Sequence, residues 1–216
     1  MSRNNAGLSA ERIIIEALRI IDGMGLRNLT MRRLGDALEV EAMAIYHHFP
    51  LGKEELFGAI VEHISDPQRP AEPTDGFDDE DDEPPQEPHH WYDRLRDWAH
   101  AYRAALLRHS GALPLIIHRR PDTAVALHSA ELHYAAFAEA GLTPAAVPAA
   151  AASLDAYVVG SVVHQVRDEG LASREPAVID SRFPTVAALR STDPDHDGAF
   201  DLGLTALLRG LTGFSG

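Results

Sequence analysis

The sequence predicts an all-α protein with two helical domains. Apolar residues recur at helical spacing through most of the 216 residues, a pattern typical of helices that pack on a core. Residues 65–90 interrupt this pattern with ten acidic residues, one arginine and many prolines, a composition that cannot bury enough apolar surface to fold. We therefore expect one domain at 1–64, an acidic disordered insertion at 65–90, and a second domain at 91–216.

The first helix is predicted between Ser9 and the glycines at 23 and 25. Ile14, Leu18 and Ile21 line one face of this segment, with Ala17 between them. Ser9 is a suitable N-cap, and Gly23 or Gly25 is a suitable stop.

Two very short helices and a longer one follow. Thr30 is positioned to cap the second helix, whose buried stripe is expected to contain Leu34, Ala37 and Leu38. A connection of three residues leads to the next short helix, predicted at 42–48, and another helix is predicted at 53–64. A long helix followed by two short helices joined by a tight turn is the layout of a helix-turn-helix DNA-binding unit.

In this layout the second short helix enters the major groove of DNA, and its side chains divide accordingly. Ile45 and Phe49, four residues apart, are predicted to face the core. The outward positions are expected to be Ala42, Met43, Tyr46 and His47. Hydroxyl and cationic groups suited to phosphate contacts flank the helix at Thr30, Arg32, Arg33 and Lys53.

The second domain is predicted to contain four main helices. The first is amphipathic and begins near Trp91, where His89 and His90 are expected to cap it; the others are expected at 122–140, 144–167 and 199–211. Gly141 and Gly170 are expected to stop two of them. The last two helices are too apolar to lie open to water, so a second copy of the same pair is expected to cover them in a homodimer.

Several classes of protein are excluded or disfavoured. The sequence has no cysteine, which excludes disulfides and thiolate chemistry. We expect a cytoplasmic protein, because no apolar run approaches the roughly 20 residues that span a bilayer and no signal segment begins the chain. The formal charge of -14 is mostly local to the insertion, so it does not argue against DNA binding. A helical enzyme, or a partner-binding protein without DNA binding, remains the alternative, although common catalytic motifs are missing.

No cofactor or metal site is expected. Adjacent residues on a helix point about 100° apart, so His47 and His48 cannot readily share one ion. Asp193, Asp195 and Asp197 begin a calcium-loop pattern, but its twelfth position is Leu204 where a glutamate is needed. These acids are instead expected to form a turn that caps the last helix.

The segment LTMRRLGDALEVEAMAIYHHFPLGKEEL resembles the helix-turn-helix of the TetR family of bacterial transcriptional regulators, over about residues 8–64. The later segments YRAALLRH, RRPD, LDAYVVGSVVHQ and FDLGLTALLRGL are similar, in order, to the ligand-binding domain of the tetracycline-repressor branch. One extra residue lies between Pro50 and Lys53, relative to the commonest form of the motif. The resemblance implies a ligand-responsive DNA-binding regulator, most simply a homodimeric repressor that a small molecule releases from its operator.

The resemblance also implies site residues. It places Arg32, Ala42, Met43, Tyr46, His47 and His48 at or near DNA, with Tyr46 and His48 on phosphates. It places an effector cavity in the second domain, with Trp98, Tyr102, Arg120, Tyr157 and His164 on its walls. Ile116 stands where the tetracycline repressor places a metal-binding histidine, and His164 stands where that protein has a glutamate. Recognition of magnesium-bound tetracycline is therefore not expected here.

Overall fold

The structure, a computed structural model, describes residues 8–65, 90–119, 124–171, 179–189 and 195–213. The secondary structure of these residues consists of helices joined by turns and loops. The helices in this part are α1 Ala10–Met24, α2 Met31–Ala37, α3 Ala42–Tyr46, α4 Lys53–Ser65, α5 Trp91–Arg108, α6 Leu113–His118, α7 Ala124–Glu139, α8 Val147–Leu171, α9 Pro184–Leu189 and α10 His196–Thr212. The all-α prediction is confirmed.

Local capping explains where the N-terminal helices begin and end. The Oγ of Ser9 accepts a hydrogen bond from the Arg12 backbone N–H at 3.1 Å, which satisfies a free donor in the first turn of α1. Gly25 ends this helix with a φ of 85°. The Oγ1 of Thr30 caps α2 in the same way, accepting from the Arg33 N–H at 3.1 Å. These predicted caps are therefore confirmed.

The C-terminal helices pack around α5. This helix contacts α4, α7 and α8, and α8 in turn contacts α7 and α10. The buried guanidinium of Arg103 joins three of them: it donates to Asp197 on α10 at 2.7 Å and to Gln165 on α8 at 2.5 Å. It also lies over the ring of Phe200, 4.8 Å from the centroid. An arginine thus ties the start of α10 to the core.

The predicted caps of the second domain are present where they can be described. His90 caps α5 by accepting from the Tyr92 N–H, whereas His89 lies outside the described residues. Asp195 caps α10 by accepting from the Gly198 N–H at 2.8 Å, which confirms the capping turn for Asp195; Asp193 lies outside the described residues. Gly141, just after α7, has a φ of 91° and ends that helix as predicted.

Four details of the sequence prediction are wrong. Gly170 does not stop α8, which continues to Leu171, because a glycine weakens a helix without breaking it. Ala37 is exposed, outside the buried stripe that contains Leu34. The helix expected at 42–48 ends at Tyr46, with His47 as its C-cap. The short helices α6 and α9 were not predicted.

The helix α8 contradicts one expectation from the sequence, namely that no segment approaches the length and apolarity needed to span a membrane. By length and composition alone, Val147–Gly170 is long and apolar enough to cross a bilayer, although no such segment was expected. This helix packs against α5, α7 and α10.

Candidate functional site

The turn between α2 and α3 is closed by a backbone approach that only glycine permits. A Cβ atom on Gly35 would lie 3.0 Å from the Val40 carbonyl oxygen and 3.3 Å from the Ala42 nitrogen. Glu39, in the same turn, adopts a φ of 57°, which is rare for a residue with a side chain. The close approach fixes the angle at which α3 leaves α2.

The short helix α3 is held by two buried side chains. Ile45 is fully buried and Phe49 is 4% exposed, as predicted for the anchoring positions. Met43 is 68% exposed and Tyr46 is 38% exposed, and His47 and His48 are exposed as well. Ala42 is half-buried. The helix therefore presents one continuous outer face of mixed apolar and polar groups.

The flanking polar groups already make contacts within the chain. The Arg33 guanidinium donates to the Asn28 carbonyl oxygen at 2.8 Å, which holds it near the start of α2. The Lys53 ammonium lies over the ring of Phe57, 5.0 Å from the centroid. Thr30 and Arg32 are exposed. Because the Thr30 oxygen accepts from a backbone N–H, its hydroxyl proton remains to donate.

A cavity of about 300 Å³ opens between α5 and α7. Its lining is mostly apolar and aromatic, with one acid and one arginine. The lining residues are Arg94, Leu95, Asp97, Trp98, Ala101, Leu132, His133 and Ala136. A mostly apolar cavity with a few polar groups is the usual form of a small-molecule site.

Two aromatic residues of the lining contact each other edge to face. The rings of Trp98 and His133 have centroids 4.0 Å apart and planes at 73°. Burial lowers the pKa of His133 to about 4, so its imidazole is neutral at physiological pH. Trp98 also packs on Tyr102, at 5.1 Å between centroids. Burial and the charge of Asp155 raise the pKa of Tyr102, and the nearby side chain of Ser65 at the end of α4 lowers it in part.

Among the expected effector residues that the structure describes, Trp98 alone lines this cavity. Tyr102 is buried behind Trp98, and Ile116 packs against the core as a half-buried residue. Tyr157 stacks on Phe200 and donates to the Phe200 carbonyl oxygen at 2.8 Å. His164 is exposed on α8, and Arg120 lies outside the described residues.

Sequence reasoning missed the part of the lining that α7 supplies. Apolar residues occur on every side of α7, so periodicity does not single out the inward face that contains His133.

The sequence analysis also did not predict a role for Arg119, the neighbour of Arg120. It pairs with Glu54 and lies over the ring of Phe57, 5.2 Å from the centroid, so it joins the end of α6 to α4.

The described residues offer no ready metal site. Nowhere within them do three or more histidine or acidic side chains gather closely enough to hold an ion. The half-buried side chain of Ile116 cannot ligate one.

Comparison with known proteins decides the family. Residues 13–60 match the family described as bacterial regulatory proteins, tetR family, and residues 83–213 match the tetracyclin repressor-like C-terminal domain. The chain belongs to the TetR family. As a family member it is a ligand-responsive, DNA-binding transcriptional regulator of the repressor type that acts as a dimer, in a family of regulators rather than enzymes.

Individual relatives agree over nearly the whole chain. An HTH-type transcriptional regulator of Saccharopolyspora erythraea is 29% identical over 100% of this chain and 89% of its own length. The crystal structure of a possible TetR family transcriptional regulator from Streptomyces coelicolor A3(2) superposes with a TM-score of 0.73 and 28% identity, covering 95% of this chain and 99% of that one. A structure of BioQ with its natural double-stranded DNA operator has a TM-score of 0.61 and 27% identity, covering 96% and 99%.

Proposed function

We propose that this TetR-family protein represses transcription by placing the outer face of α3 in the major groove of an operator, and that a small molecule in the α5–α7 cavity releases it. The exposed face of α3 carries this proposal. Ile45 and Phe49 are buried while Met43 and Tyr46 are exposed, so the side chains that DNA would meet are not needed for folding.

The residues of the outer face take distinct roles in the proposed complex. Met43 and His47 reach base edges, where a methionine contacts the thymine methyl group and an imidazole bonds to purine acceptors. Ala42 is small enough to let the helix approach the groove closely. Tyr46 and His48 contact phosphates. The remaining phosphate contacts are assigned to Thr30, Arg32, Arg33 and Lys53.

Dimer geometry sets the operator. Two copies of α3 related by a two-fold axis reach successive major grooves when they lie about 34–36 Å apart. We propose that the dimer forms through α8 and α10, whose apolar residues exceed what one chain covers; Leu202 on α10, for example, is 75% exposed. Residues 1–64 then form the DNA-binding domain and residues 91–216 the effector and dimer domain, with 65–90 as an insertion between them. The protein acts in the cytoplasm.

The proposed release path runs from the cavity to α4. Trp98 forms part of the cavity wall and packs on Tyr102, which lies near Ser65, the last residue of α4, and α5 packs against α4. A ligand that displaces Trp98 changes the position of Tyr102 and hence of α4, which packs against α1. The ligand binds more tightly to the form of the dimer in which the two α3 helices do not match successive major grooves. Its binding therefore favours that form and lowers the affinity for DNA. Since Ile116 offers no metal ligand, this response does not require magnesium.

Selection from random duplex DNA tests the proposed function. The expected product is a palindromic sequence whose half-sites lie about one helical turn apart. The variant Arg32→Ala should bind the selected sequence more weakly, with a salt dependence reduced by roughly one counterion and an unchanged consensus. Glu16→Ala, on α1 and outside the set of proposed DNA-contacting residues, serves as the control with unchanged binding. If the selection enriches no sequence, or if Arg32→Ala binds like the parent protein, the proposed DNA-binding surface is wrong.

A further inference from the structure

Two residues that line the α5–α7 cavity each carry a polar atom that has no hydrogen-bond partner among the described residues. The two atoms are the indole Nε1 of Trp98 and the imidazole Nε2 of His133, and both are buried. A buried polar atom without a partner destabilises the folded state, and a ligand that supplies the missing bond recovers that free energy. Both residues line the cavity and their rings meet edge to face, so a ligand group that displaces the Trp98 ring can reach both atoms.

The charges of the lining disfavour an anionic ligand. Arg94, the cation among the lining residues, forms an ion pair with Glu139 across the rim between α5 and α7. Asp97 adds a negative charge at the same rim, and the imidazole of His133 is neutral. The other lining side chains, Leu95, Ala101, Leu132 and Ala136, are apolar. A carboxylate or phosphate would therefore lose its hydration without gaining a compensating charge.

We propose that the effector is an uncharged ring compound with a hydroxyl group, which accepts a hydrogen bond from the Trp98 indole N–H and completes the bonding of His133 Nε2. This inference rests on the proposed role of the cavity as effector site. An indole N–H can only donate, whereas Nε2 of a neutral imidazole donates in one tautomer and accepts in the other. A hydroxyl group is both donor and acceptor, so it satisfies both atoms in either tautomer. A volume of about 300 Å³ accommodates a compound of two or three fused rings.

Titration calorimetry on the full-length dimer without DNA tests this inference with three probes of one shape. The probes are 2-naphthol, 2-methylnaphthalene, which replaces the hydroxyl by a methyl group, and 2-naphthoate, which carries a carboxylate. We expect 2-naphthol to bind roughly tenfold more tightly than 2-methylnaphthalene, the effect of one well-made hydrogen bond. We expect 2-naphthoate to bind more weakly than 2-naphthol at pH 7.5.

Variants separate the hydrogen bonds from ring packing. Trp98→Phe and His133→Phe keep an aromatic ring but remove the polar atom, so each should reduce the affinity ratio of 2-naphthol to 2-methylnaphthalene toward one. Trp91→Phe is the matched control, because Trp91 is buried on the same helix but does not line the cavity. It should leave the ratio unchanged. Circular dichroism confirms that each variant is folded.

Several results would overturn the inference. These are equal affinities of the parent protein for 2-naphthol and 2-methylnaphthalene, tightest binding of 2-naphthoate, no binding of any probe, or a ratio that both cavity variants leave unchanged. None of these outcomes depends on DNA. Operator selection with the same preparation therefore shows separately whether the proposed function stands.

Discussion

The Nδ1 atom of His109 lies 2.8 Å from the Oδ2 atom of Asp22, and this pair joins the end of α5 to the last turn of α1. His63 on α4 approaches the same imidazole edge-on, with 6.5 Å between ring centroids. Three helices thus meet at one histidine. The contact connects the helices of the proposed DNA-binding domain with the helix that forms one wall of the cavity.

The pair between His109 and Asp22 should contribute measurably to stability. The side chains of His109 and Asp22 are 12% and 29% exposed, so Asp22→Ala leaves a largely buried imidazole nitrogen without its partner. That loss costs about 1–3 kcal/mol, partly offset because removing an acid from a helix C-terminus relieves about 0.3–1 kcal/mol. We expect a net loss of roughly 1 kcal/mol in urea unfolding.

A double-mutant cycle with His109→Ala isolates the pair and should give a coupling of at least about 0.5 kcal/mol. Glu16→Ala is the control on the same helix, because it removes only the i,i+3 pair between Glu16 and the exposed Arg19 and should change stability by less than about 0.5 kcal/mol. Strictly additive effects of Asp22→Ala and His109→Ala would show that the two side chains do not interact in solution.

Truncation of a buried side chain around α3 should destabilise the protein, whereas truncation of an exposed one should not. Phe49→Ala removes a side chain that is 4% exposed and should destabilise the protein by roughly 3–5 kcal/mol. His47→Ala removes an exposed side chain and should change stability by less than about 0.5 kcal/mol while altering operator preference. Thermal unfolding and operator selection provide the two measurements. Equal destabilisation by both variants would mean that α3 is rotated about its axis relative to this description.

Close packing between α8 and α10 should make substitution of one glycine of α10 destabilising. A Cβ atom on Gly203 would lie 2.2 Å from the Tyr157 hydroxyl oxygen, which donates to the Phe200 carbonyl. Gly203→Ala must displace that ring and should cost roughly 1–3 kcal/mol. Gly210→Ala, two turns further along α10 with nothing within 4 Å of the added Cβ, should stabilise by up to about 1 kcal/mol through helix propensity. Calorimetric melting compares them, and a Gly203→Ala variant as stable as Gly210→Ala would contradict the packing.

Deletion of residues 68–87 should leave the fold and the dimer intact. The segment PAEPTDGFDDEDDEPPQEP contains a single large apolar residue, Phe77, and cannot contribute much to a core. Light scattering should report a dimer for both proteins at micromolar concentration. Insoluble or monomeric material after the deletion would show that the segment is structural.

The sequence predicted elements whose signals are local. Ser9 and Thr30 cap helices through bonds to residues three positions later, so the N-terminal helices could be located from the sequence. The six-residue helix α6 was not predicted because it is too short to show a helical periodicity.

The cavity was harder to predict because it depends on contacts between distant segments. His133 meets Trp98 only after α7 packs on α5, and nothing within α7 marks that face as inward. Arg103 escaped for a similar reason: an arginine on an amphipathic helix is normally exposed, and its partners Gln165 and Asp197 lie 62 and 94 residues away.

Burial of His133 should make stability depend on pH in a defined window. Burial lowers the pKa of His133 from 6.5 to about 4, so between these values the unfolded chain binds a proton that the folded chain does not. The free energy of unfolding should therefore fall as the pH drops below 6.5, and the loss should be complete below pH 4. At pH 4.5 this one group accounts for roughly 2.5 kcal/mol, although carboxylates contribute in the same range.

The variant His133→Gln lacks the titrating group, so relative to the parent protein it should gain about that amount between pH 7.5 and pH 4.5. His128→Gln, an exposed position on the same helix, is the control and should follow the parent profile. Urea unfolding at a series of pH values measures the difference, and parallel profiles for the parent protein and His133→Gln would show that folding does not lower the pKa of His133.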